Sequence, residues 1–156
     1  MHFTEILKKV VKELGMPTAG INDETTAAEL VFEGTPPVAV ELVAETECVV
    51  IGALFCNYPD RERLGNLLEF LMNAHAYGQY THGAFFSANS ERCQIVFHRV
   101  LQIGDLTEDR LSLELARFLE ALKYWKEMMD SGQLLAASSG ASPSRAPIFP
   151  GGGIRA

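Results

Sequence analysis

Apolar and polar positions along this chain follow two periods, and the switches between them mark the elements. Between Thr4 and Leu14, Ile6, Leu7, Val10, Val11 and Leu14 recur on one face of a helix, with Lys8, Lys9, Lys12 and Glu13 on the other. Gly15 and Pro17 stop it. From Ala28 the period becomes two. Ala28, Leu30 and Phe32 alternate with Glu29, Val31 and Glu33, and after Gly34-Thr35-Pro36-Pro37 a strand-like run resumes from Val38 to Val43, which predicts a hairpin. The next run, Cys48 to Phe55, is short, β-branched and apolar on both faces, as expected of an interior strand.

Pro59 and Asp60 announce a second helix, with Asp60 as its N-cap and Leu64, Leu67, Leu68, Leu71 and Met72 as its apolar stripe. Phe70, Ala74 and Tyr77 form a second stripe beside the first. That surface is wide for a helix lying on one sheet, so part of it is expected to face something other than the chain's own core. Gly78 ends the helix, and strands follow at Gly83 to Ser87 and Arg92 to Leu101, joined by the turn residues Ala88-Asn89-Ser90-Glu91. A last helix starts at Thr107, with Glu108 and Asp109 in its first turn and Lys123 and Lys126 near its end, where the helix dipole favours them. Leu111, Leu115, Phe118, Leu119, Leu122, Trp125 and Met129 line its buried face. The order, helix, three strands, helix, two strands, helix, predicts an α+β fold: a mostly antiparallel, twisted sheet with helices packed on it.

Beyond Asp130 the character changes. Half of residues 131–156 are Ser, Gly or Pro and none is acidic, so the expected organisation is one domain over 1–130 and a flexible tail over 131–156. The island Ile148-Phe149-Pro150 reads as part of that extension rather than as a docking element.

Composition narrows the functional classes. A chain of 156 residues with 47% hydrophobic and 21% charged residues has the make-up of one globular domain. No apolar run approaches the roughly 18 residues of a membrane helix, and Met1-His2-Phe3-Thr4-Glu5 lacks a basic region followed by an apolar stretch, so neither membrane insertion nor a signal peptide is expected. The net charge is −7, and with Arg145 and Arg155 the only charges after Asp130, residues 1–130 carry −9. Such a surface repels nucleic acid and anionic lipid and suits a basic or polar partner. Cys48, Cys56 and Cys93 are odd in number and widely spaced inside apolar runs, which predicts buried thiols in a reducing cytoplasm.

No catalytic constellation emerges. His2, His75, His82 and His98 form no HxxxH or HxH pair, and Gly151-Gly152-Gly153 lacks the strand before and helix after that a phosphate loop requires. A reactive thiolate needs an electropositive, accessible setting, whereas the cysteines sit among valines, isoleucines and phenylalanines. The carboxylates Glu24, Glu29, Glu33, Glu41, Glu45 and Glu47 are explained as solvated strand and turn residues. The expectation is a binding protein without catalytic residues, metal or cofactor; a small hydrolase or transferase using Cys56 and a histidine is the rival from another class.

The whole-chain pattern resembles the class I chaperones of bacterial type III secretion, the Tir-chaperone (CesT-like) family, over residues 3 to about 130. The resemblance rests on the amphipathic start from Phe3 to Leu14 and its Leu-Gly-Met-Pro ending, on the leucine-rich helix Arg63 to Ala74, and on Phe118, Leu119, Ala121 and Trp125 in the closing helix. It implies a homodimer in the bacterial cytoplasm that holds an unfolded N-terminal segment of one or more secreted effectors. It further implies Leu67, Phe70, Leu71, Ala74, Phe85 and Phe86 as dimer contacts and Ile6, Val10, Leu30, Phe32, Val40 and Leu42 as the effector groove. The secretion-system ATPase or export gate is a further partner on the same ground. A variant of this fold that sequesters a secretion regulator instead of an effector has the same sequence pattern.

Overall fold

The computed structural model describes residues 3–139. His2, the Ile148-Phe149-Pro150 island and Gly151-Gly152-Gly153 lie outside the described residues. Helix α1 (Phe3–Glu13) is followed by strands β1 (Ala27–Leu30), β2 (Val38–Val43) and β3 (Cys48–Asn57). Helix α2 (Arg61–His75), strands β4 (Phe85–Asn89) and β5 (Gln94–Gln102), and helices α3 (Glu108–Asp130) and α4 (Gln133–Ser139) complete the described residues. The five strands form one sheet in the order β1-β2-β3-β5-β4, antiparallel throughout. The α+β expectation and the order of elements hold, with one helix added at the end.

Alternation along the strands sorts the sheet into two faces. Leu30, Val38, Val40, Val49, Ile51, Phe55, Ile95, Phe97 and Leu101 are buried on the face covered by helices. There they meet Phe3, Ile6, Leu7, Val10 and Val11 of α1 and Leu111, Leu115, Phe118 and Trp125 of α3 in one core. An aromatic cluster anchors its centre: Phe86 lies 5.0 Å from Phe55, 4.8 Å from Phe97 and 5.5 Å from Trp125 between ring centroids. Burying each such ring contributes on the order of 2–3 kcal/mol, so this cluster fixes where β4 lies.

Both long helices start on a capping side chain. Asp60 Oδ1 accepts from Arg63 N at 3.1 Å and Thr107 Oγ1 from Arg110 N at 3.2 Å, each satisfying one of the amides left open by the first turn. Helix α2 ends at His75, and a tight loop returns the chain to β4. Gly78 has φ +69°, and a Cβ there would sit 2.9 Å from Gly83 Cα, so only glycine permits the approach. Trp125 Nε1 donates to Tyr80 O at 3.0 Å, and Arg99, paired with the buried Glu114, donates to His82 O.

The register of β3 against β5 shifts between Leu54 and Cys56, a bulge that leaves Phe55 without an opposite residue. Lys126 of α3 donates to the Phe55 carbonyl at 3.1 Å, satisfying it from outside the ladder. Part of the expected tail is ordered structure: residues 133–139 form α4, which packs on α2 and α3 and buries Leu134 completely. The physical reason is local. Gln133-Leu134-Leu135-Ala136-Ala137 has good helix formers and two leucines, which the Ser, Gly and Pro of the flanking sequence masked in a composition window.

Candidate binding surface

Among the described residues, no helix covers the centre of the sheet's other face. Val50, Gly52 and Leu54 of β3 stand opposite Val100, His98 and Val96 of β5, and Phe85 of β4 lies beside His98. Leu54 is 40% exposed, Phe85 42% and Val100 44%, large values for apolar side chains in adjoining strands of one face. Toward β1 the face changes sign: Glu41, opposite Val50, and Glu29, opposite Ala39, are exposed. The result is an apolar strip across three strands with an acidic flank. Near the β4 end, Met72 of α2 is 63% exposed and Tyr77, in left-handed backbone at φ 58°, is 99% exposed.

The sequence-derived site residues divide between core and surface. Ile6, Val10, Leu30 and Val40, expected in an effector groove, are buried in the chain's own core between α1, α3 and the sheet. Phe32 and Leu42 are half-buried against the same core. Of the expected dimer contacts, Leu67, Leu71 and Ala74 are buried, on a helix that packs against β4 and α4. Phe86 is in the aromatic core, while Phe85 faces out and Phe70 is half-buried. Phe85 and Phe86 cannot serve one contact, because adjacent residues of a strand point to opposite faces.

Exposed Leu54 and Val100, with half-buried Val50 and Val96 beside them, were missed as residues of an open face, although the signal was present. A run apolar on both faces signals burial on both sides in a parallel sheet, but in an antiparallel sheet it equally marks an interior strand with one bare apolar face. The edges of the sheet are β1 and β4. At β4, the backbone N–H of Phe86 is taken by His75 Nδ1 at 3.1 Å.

Reactive chemistry is thinly supplied. Burial pushes the Cys56 thiol up to about 11, against the opposing pull of Lys126, so it is protonated at neutral pH, the reverse of an activated nucleophile. Cys48 is buried as expected, whereas Cys93 is exposed, at a turn position with φ 53°. Among the described residues no three His, Cys, Asp or Glu side chains gather as metal ligands, and no helix is long and apolar enough to cross a membrane.

The fold is thus a five-stranded antiparallel sheet with helices on one face and an apolar strip on the other. The chain belongs to the Tir chaperone protein (CesT) family, whose model matches residues 5–126. No curated protein matches it. Solved structures share the fold at low identity. A chain of the HopA1-SchA chaperone-effector complex superposes with a TM-score of 0.63 at 15% identity, covering 81% of this chain and 94% of that one. The ExsC-ExsE complex gives 0.60 at 18% identity, covering 82% and 96%. The heterodimeric ExoU-SpcU complex of the type III secretion system of Pseudomonas aeruginosa gives 0.59 at 13%, covering 83% and 95%. Helix α4 lies beyond the family match.

Proposed function

We propose that this protein is a type III secretion chaperone, acting as a homodimer in the bacterial cytoplasm, that holds the N-terminal segment of one or more secreted effectors in extended form. The observation that carries the reading is the apolar strip of Leu54, Val100 and Phe85, exposed among the described residues, beside the exposed carboxylates Glu29 and Glu41. Family membership supports it, and so do the chaperone-effector complexes among the structures of the same fold.

The mechanism is a binding equilibrium and requires no nucleotide or covalent step. An unfolded client loses conformational entropy when it is held, so it must cover a large area to be retained. An extended segment can lay alternate apolar side chains on the strip and use backbone groups at a sheet edge, which makes modest demands on its sequence. Basic residues in the client meet the acidic flank, and the charge of −9 on residues 1–130 keeps the complex soluble. Two protomers double the available surface. A contact with the secretion-system ATPase or export gate belongs to the same reading, with the loaded chaperone as the delivered species.

The test is calorimetric titration of the full chain with N-terminal segments of effectors encoded in the same genome, alongside sedimentation of the chaperone alone. Saturable binding, lost in a Leu54→Glu, Val100→Glu double variant of unchanged stability, is the expected result. A chain that stays monomeric at micromolar concentration and binds no effector segment overturns the proposal.

A further inference from the structure

The junction between α2 and β4 holds an arrangement that client binding does not explain. Phe86 lies in an edge strand, and its N–H is directed to His75 Nδ1, on the side away from β5. A ring nitrogen thus fills the place where the carbonyl of an added strand would accept. The same imidazole stacks on Phe86, with centroids 6.1 Å apart and planes at 20°, and meets Phe85 edge-on at 5.7 Å. His98 approaches Phe85 from β5 at 6.1 Å, and its Nδ1 lies 3.3 Å from Ser87 Oγ. Two imidazoles therefore flank one exposed phenylalanine.

Imidazole accepts a hydrogen bond only through an unprotonated nitrogen, so the bond from Phe86 assigns His75 as the neutral ring carrying its proton on Nε2. Protonation sets one N–H against another and removes the bond. Burial favours the neutral form of both rings, and the nearness of His75 disfavours charge on His98 further. From β5 the titratable group at this junction is His98; among the described residues no carboxylate of α2, β4 or β5 is paired with either ring.

We propose that His75 is a proton-operated latch that closes the outer edge of β4 at neutral pH and releases the Phe86 N–H in acid. Acid then frees a backbone donor at the sheet margin while placing positive charge beside Phe85. The latch itself needs no partner; its effect on a client or on a second protomer rests on the chaperone reading.

Amide exchange and imidazole carbon signals, followed by NMR on the full chain between about pH 7.5 and 5, test it directly. As His75 titrates, the protection factor of the Phe86 amide falls at least about tenfold relative to amides in β3. In His75→Gln, whose side-chain carbonyl can accept without titrating, Phe86 protection becomes independent of pH. In the same variant the lost like charge moves the His98 midpoint upward. Phe86 protection that stays constant while His75 titrates overturns the latch, as does an undiminished pH dependence in His75→Gln. Since the readout uses the chaperone alone, a failure here is distinct from a failure to bind effectors.

Discussion

Phe85 and Phe86 are neighbours in sequence and opposite in role. Phe86 contacts Phe55, Phe97 and Trp125, so Phe86→Ala is expected to cost about 3–5 kcal/mol in urea unfolding. Phe85→Ala removes a half-exposed ring; its cost is below about 1 kcal/mol, and its effect appears in self-association or client affinity. The thiols give a second contrast. Iodoacetamide at mildly alkaline pH should modify exposed Cys93 first and leave Cys56, held as a thiol to about pH 11, largely intact by mass spectrometry. At this scale the apolar residues were legible, and Ile6, Val10, Leu30 and Val40, which the family resemblance implied as an effector groove, are buried in the core. Alternation says that residues share a face; it does not say which face a helix will cover.

Among the elements, those with a strong period and a cap were legible. Asp60 and Thr107 cap α2 and α3 where turn chemistry placed them, and Thr107→Ala is expected to cost about 1 kcal/mol in chemical denaturation. The loop between α2 and β4 was legible only at its glycines. Tyr77 and His82 adopt left-handed backbone, and Tyr80 is held by Trp125, a residue far along the chain. No local signal encodes such a contact. Helix α4 was hidden for the opposite reason, since seven residues are too few to stand out from a Ser- and Gly-rich window. Because α4 packs on α2 and α3, Leu134→Ala in the full chain is expected to lower stability by about 2–3 kcal/mol, where a tail residue would change nothing. Urea titration separates the two.

For the whole molecule, the antiparallel α+β class followed from the grouping of strands, and the family followed from the pattern over residues 3 to about 130 rather than from any single motif. The binding surface did not follow, because it depends on which sheet face the helices take. Global stability should also carry the signature of the two coupled imidazoles. Both have folded values below the ordinary 6.5, so the unfolded chain takes up protons first. Stability is full above about pH 6.5 and is lost as the pH falls through the lowered folded values. Thermal unfolding midpoints measured from pH 7.5 to 5 should decline, and less steeply in a His75→Gln, His98→Gln double variant.

The strand order sets a further condition on how the protein is made. Strand β3 is zipped to β2 on one side at once, but its other neighbour, β5, is encoded after α2 and β4. At roughly 5–20 residues per second, a ribosome needs about 2–8 s to deliver the missing strand. A β2–β3 hairpin formed in that interval would leave its β3 rim, beside Val49, Ile51 and Phe55, without the partner that closes it in the finished sheet.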